Sequence, residues 1–207
     1  MMLVLEKRSS QSQTMIWLSP VIALSITVVI GGFIFAGLGL DPIKALYIYF
    51  VEPVTSLWSI EELIVKATPL ILIGTGLAVC YKANVWNIGA EGQLTIGALF
   101  GSAIPIYFTA WQSPMALILM LILGTLGGAR FGALPALLKN RFGANEILTS
   151  LMLVYVAQLL LDWVIRGPWK DPKGFNFPQS VSFEGWQLLP LLGEGRVHIG
   201  LIFTLVV

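Results

Sequence analysis

Long apolar runs separated by short polar turns dominate the chain. No charged residue occurs from position 9 to 40, and positions 92 to 129 are likewise uncharged. A membrane-crossing helix needs roughly 20 mostly apolar residues, so the first run holds one such helix. The second holds two, divided at 109–114, "TAWQSP", whose Trp, Gln, Ser and Pro suit a turn among lipid headgroups. The whole pattern predicts complete spans at 15–39, 63–81, 88–108, 115–138 and 147–165, with a sixth beginning at Val197. Between the first two, "DPIKALYIYFVEP" reads as a short amphipathic helix at the membrane interface. The fold class is therefore an all-α polytopic membrane protein with five complete transmembrane helices and the start of another. The last apolar stretch, "VHIGLIFTLVV", is too short to cross a bilayer, so a C-terminally truncated chain is expected.

Composition agrees: 57% of the 207 residues are hydrophobic and 11% are charged, against about a quarter charged in soluble domains. The net charge of +1 and the lack of a basic patch exclude a nucleic-acid partner from the reading. The single cysteine, Cys80, forms no internal disulfide and leaves the redox compartment open. The first apolar run is too long for a signal-peptide core and reads as a retained helix. Lys7, Arg8, Lys82, Lys139 and Arg141 fall in short loops, which the positive-inside tendency places in the cytoplasm. Residues 1–14 then form a cytoplasmic tail, and the acidic 41–62 segment lies outside. The 166–196 loop also falls outside, because long loops weigh less in that rule. The protein is expected in the cell membrane, multi-pass, with a cytoplasmic N-terminus.

The candidate chemistry lies in "ANVWNIGAEGQLTIGA", residues 83–98. Asn84, Asn87 and Glu91 recur at helical spacing, which predicts one polar face on an emerging helix. Polar groups inside a membrane usually face a bundle interior or a wet cavity and mark substrate pathways. A plainer reading stands beside it: Asn87 caps an ordinary helix and Glu91 occupies its first turn. Trp86, Asn87, Glu91, Gln93 and Tyr155 are the candidate pathway residues, the two aromatics suiting a base to stack on or simple packing. Arg130 lies within a span and must either find a partner, with Glu91 and Glu146 as candidates, or snorkel to the surface, while Asp162 and Arg166 have the spacing of an i,i+4 ion pair. Gly124, Gly128, Gly132 and Ala136, with Gly97 and Gly101, predict close helix packing.

Asn145 and Glu146 open the fifth span as inner gate or helix cap. In the 166–196 loop, Trp169, Phe175, Phe177, Phe183 and Trp186 read as apolar anchors. Its Lys170 and Lys173 are candidates for docking a substrate-delivering protein, and "LLPLL" dips back towards lipid. The one histidine, His198, reads as a packing residue. No catalytic set, metal cluster or cofactor motif can be drawn. No lysine precedes Ser or Thr, so a phosphate loop of the G-x-x-x-x-G-K-[ST] type is missing from this sequence.

"NVWNIGAEGQLTIGALFGS" and "LPALLKNRFGANEILTSLMLVYVAQLLLDWVIRGPWKDP" together resemble the permease subunits of bacterial ABC importers for nucleosides. These belong to a wider permease family that also serves ribose and branched-chain amino acids. The resemblance covers about Ala67 to Pro172. It implies that residues 1–207 are the N-terminal part of a single permease domain of roughly ten helices. It also implies three partners: a cytoplasmic ABC ATPase, a second permease subunit, identical or related, and an extracytoplasmic binding lipoprotein. The element that couples to the ATPase is expected beyond residue 207. Two other classes compete: an ion-coupled secondary transporter with Glu91 at its ion site, and a membrane scaffold, against which the polar helix face argues.

Overall fold

The structure is a computed structural model that describes residues 12–111 and 113–206. Lys7 and Arg8 of the expected tail, Gln112 of the expected 109–114 turn and Val207 lie outside the described residues.

Seven α-helices are found among the described residues: α1 Gln13–Gly37, α2 Pro42–Phe50, α3 Leu57–Lys82, α4 Ala90–Tyr107, α5 Pro114–Phe142, α6 Glu146–Arg166 and α7 Gly200–Val206. Their ends are written in the sequence. Asp41 starts α2, its carboxylate accepting from the Ile43 and Lys44 amides at 2.9 and 3.2 Å, with Pro42 at the first position. Ser113 and Pro114 start α5 in the same way, the Ser113 hydroxyl accepting from Met115 N–H at 3.3 Å. Such caps satisfy amides that have no intrahelical acceptor. Gly143 ends α5 at φ +66, a left-handed conformation that lets its N–H close on Lys139 O at 2.9 Å.

The chain divides into two compact units, 1–63 and 64–207. In the first, α2 folds back on α1, with the Phe35 and Tyr49 rings 6.0 Å apart. In the second, α4 packs between α5 and α6 and is the most enclosed helix. Gly92, Ile96, Gly97, Leu99, Gly101, Ile104 and Pro105 are its buried residues. The glycine spacing predicted this contact. A Cβ on Gly97 would stand 2.8 Å from Gly124 O, and one on Gly101 would stand 2.9 Å from Met120 O. Backbone therefore meets backbone, and no larger residue fits at Gly97 without prising the helices apart.

Four helices among the described residues are long and apolar enough to cross a membrane: α1, α3, α5 and α6. The remaining expected span, 88–108, is α4, 18 residues long with Glu91 and Gln93 in its opening turn. The expected Asp162–Arg166 pair is present at 2.6 Å. Arg130 meets neither of its candidate partners, because Glu146 is bonded to Lys139 and Glu91 to Gln158. Its own side of α5 is exposed.

Candidate functional site

The polar stretch after α3 is not a helix face. The chain turns at Asn84, which takes the left-handed φ of +56, and Val85 N–H reaches back to Cys80 O at 2.9 Å. Asparagine tolerates that conformation better than other side-chain-bearing residues. Residues 85–89 then carry no helical turn, and α4 opens only at Ala90. Asn84 and Asn87 thus lie in a connection, which corrects the helical-face expectation. The reason is local: the side-chain Oδ1 of Asn87 accepts from Gly89 N–H at 2.9 Å, offering the backbone an alternative to the helix. Trp86 lies 5.3 Å from the Tyr81 ring and donates its indole N–H to Asn84 Oδ1 at 3.3 Å.

Three contacts pin this connection. Asn87 Nδ2 donates to Gln93 Oε1 at 3.2 Å, and Gln93 Nε2 donates back to Asn87 Oδ1 at 3.1 Å. Ile88 N–H donates to the Ser150 hydroxyl of α6 at 3.2 Å. Gly89 is buried, with room for no side chain: a Cβ there would lie 2.9 Å from Ser150 O. Gln93 in turn rests on α5, its amide carbon 3.1 Å from where a Gly132 Cβ would be. Asn87 and Gln93 are therefore a mutual clamp that also touches α5.

Glu91 points elsewhere, its Oε1 accepting from Gln158 Nε2 of α6 at 2.9 Å. The level of this contact follows from the neighbouring glycine. A Cβ on Gly92 would lie 3.0 Å from Val154 Cα. Val154 stands about 12 Å along α6 from Glu146, at about 1.5 Å rise per residue. So α4 begins beside the middle of α6, and the connection before it touches α6 at Ser150, about 6 Å along the helix from Glu146.

Tyr155, on α6, is 61% exposed. Asn145 caps α6, accepting from Ile147 N–H at 2.9 Å and Leu148 N–H at 3.4 Å, and Glu146 accepts from Lys139 Nζ at 2.6 Å. That ion pair ties the end of α5 to the start of α6 across the Gly143 turn.

At the other end of α6, Trp169 packs on the core and donates its indole N–H to Tyr107 OH at 3.0 Å. Lys170 donates to Asn176 Oδ1, and Lys173 N–H donates to Asp171 Oδ1 at 2.8 Å. Both lysines are exposed. Two of the five expected anchors of the loop turn out: Phe175 is 94% exposed and Phe177 68%. Left-handed backbone at Phe175 and Asn176 aims that tip away from the bundle. The "LLPLL" segment returns onto the bundle rather than towards lipid. Leu188, Leu189 and Leu191, with Phe183, Gln187 and His198, line an open cleft of about 720 Å³ along the α4–α5 groove and Gln93. His198 Nδ1 accepts from Gly200 N–H at 3.2 Å, consistent with a packing residue.

The structure brings Trp86, Asn87, Glu91 and Gln93 onto one connection and helix start, with Tyr155 on α6 about one turn before Gln158, the partner of Glu91. Gln158 and Ser150 escaped the sequence reading. Gln158 was legible in principle, as the one amide inside the apolar run "VYVAQLLLDW". Among the described residues, no group of three or more His, Cys, Asp or Glu is placed to hold a metal ion.

Comparison with known proteins gives one family. The pattern described as "Branched-chain amino acid transport system / permease component" matches residues 59–207. The chain is 38% identical over 200 residues to the glucose ABC transporter permease protein TsgB13 of Haloferax volcanii, covering 90% of this chain and 52% of that protein. It is 30% identical over 153 residues to the guanosine ABC transporter permease protein NupP of Bacillus subtilis, covering 72% and 43%. With the nucleoside ABC transporter permease protein NupB of Lactococcus lactis subsp. cremoris it shares 30% over 197 residues, covering 91% and 54%. The chain spans about half the length of these relatives. No solved structure matches it.

Proposed function

The chain belongs to the branched-chain amino acid transport permease family, and on that footing we propose that it is the membrane-spanning subunit of an ABC importer for a small polar solute, nucleosides first. The family match over residues 59–207 carries this reading. The helices α1, α3, α5 and α6 suit a multi-pass protein of the cell membrane, with the Lys139–Glu146 end in the cytoplasm. We assign α4 as a fifth crossing. Packed against α5 and α6, it needs less apolar surface than a helix facing lipid; Gln93 is half-buried in that contact, while Glu91 stays exposed beside Gln158. The complete permease has roughly ten helices in this reading. It pairs with a second permease subunit, takes solute from an extracytoplasmic binding lipoprotein and draws energy from a separate ATPase.

Within it, Trp86, Asn87, Glu91, Gln93 and Tyr155 border the pathway, and Asn145 with Glu146 orders the inner gate. Lys170 and Lys173 belong to the dock for the binding protein. Simple sugars are the alternative solutes, favoured by the relative named for glucose, which shares more identity than those named for nucleosides. The test is uptake into vesicles carrying the full-length permease, its ATPase and its binding protein. Accumulation should require ATP. Uptake that persists without the ATPase and follows a sodium or proton gradient would replace this reading with the ion-coupled one.

A further inference from the structure

Three carboxylates lie on α4 and α6, and two of them have a cation. Asp162 has Arg166 and Glu146 has Lys139, each at 2.6 Å. Glu91 has instead a neutral amide, Gln158, at 2.9 Å and 67 residues away in sequence. A packing role in a membrane favours a partner that cancels charge. An amide leaves the charge standing, and an ionisable side chain at that depth marks a solute or ion path by default.

The surroundings narrow the ligand. Glu91 and Gln158 are both exposed. An ionised carboxylate has about four acceptor positions, and Gln158 fills one here. The Thr95 hydroxyl, one turn on, donates to the Glu91 backbone carbonyl at 2.9 Å rather than to its carboxylate. Gln158 keeps its own carbonyl oxygen as a second acceptor. On α6, Tyr155 and Gln158 lie three residues apart and share a flank. The pair thus offers adjacent acceptors in want of donors, beside an exposed aromatic ring. A bare cation fits less well, since hard cations gather more oxygen ligands than one carboxylate and one amide supply.

The geometry points to Glu91 and Gln158 as a recognition pair for two adjacent hydroxyls of a sugar ring, with Tyr155 as a platform for the face of the same solute. Two neighbouring O–H groups supply the donors that the carboxylate and the amide oxygen lack. This deepens the importer reading above and rests on it.

The test uses the full-length permease with its ATPase and binding protein in vesicles, the binding protein saturated with solute. Uptake of guanosine is compared with 2′,3′-dideoxyguanosine, and of D-glucose with 2,3-dideoxy-D-glucose. Glu91→Gln and Gln158→Ala should lower uptake of the hydroxyl-bearing solute at least about tenfold, the loss expected of a hydrogen bond to a charged group. Uptake of the matching deoxy analogue should change by less than about twofold on the same grounds. Equal losses for both members of a pair, or no loss for either, overturn the recognition role while leaving the importer intact. Uptake that depends on a cation gradient in the wild type, and loses that dependence in Glu91→Gln, assigns the site to an ion. ATP-independent uptake in the wild type removes the importer reading itself.

Discussion

Asn87 and Gln93 hold each other by both ends of their side-chain amides, at 3.2 and 3.1 Å, across the junction where a non-helical segment becomes α4. Each amide satisfies the other, so removing one leaves the other half-buried and short of partners. Asn87→Ala and Gln93→Ala should each destabilise the full-length permease by about 1–3 kcal/mol. The double variant should lose less than the sum of the two. Thermal unfolding in detergent reads this, and strictly additive losses would show that the two amides act independently.

Gly97 and Gly76 give opposite predictions for one substitution. Gly97→Ala drives a methyl to 2.8 Å from Gly124 O, whereas nothing lies within 4 Å of a Cβ at Gly76. Overpacking of this kind costs about 1–3 kcal/mol. Gly76→Ala should be neutral or stabilising by up to about 1 kcal/mol, from helix propensity. Equal melting temperatures for the two variants would remove the close α4–α5 contact from consideration.

Asn145 is expected to act through the backbone. Asn145→Ala removes the cap of α6 and should cost about 1 kcal/mol, with Asn145→Asp or Asn145→Ser retaining most of the stability. In a Cys80→Ser background, a cysteine at 145 should react with impermeant thiol reagents only from the cytoplasmic side, and one at 173 only from outside. Labelling of both positions from the same side would reverse the placement of the gate or of the dock.

The loop tip gives a prediction about docking. Lys170→Glu with Lys173→Glu should lower uptake most at low ionic strength, because charge complementarity mainly speeds and orients encounter. Charge reversals on the binding protein should restore it. Phe175→Ala should weaken uptake without altering stability, since that ring is 94% exposed and packs on nothing in the bundle. A change in melting temperature with normal uptake would make the tip a structural cap.

Much of the helical order was legible because apolar run length, proline and caps act locally. Asp41, Ser113 and Asn145 each sit where a helix begins, and the glycine spacing in α5 announced a close neighbour. The connection at 83–89 was not legible. The spacing of Asn84, Asn87 and Glu91 suits a helix, and the contacts of Asn87 with Gln93 and of Ile88 with Ser150 hold the non-helical form. Ser150 lies 62 residues on, where no local pattern reports it. The outward Phe175 and Phe177 were missed for a related reason. Aromatic residues in a long loop usually find cover, and here left-handed backbone at two successive residues turns them away.

The connection between α3 and α4 also acts as a phase setter. Its length is fixed at one end by the turn at Asn84 and at the other by the bond from Ile88 to Ser150. Adding or removing a single residue would rotate all of α4 by about 100°, the angle per residue at 3.6 residues per turn. Gly97 would then leave the α5 seam, and Glu91 would turn away from Gln158. Substitutions in this segment can be absorbed one contact at a time. A change of length would be transmitted, undiminished, along the whole helix.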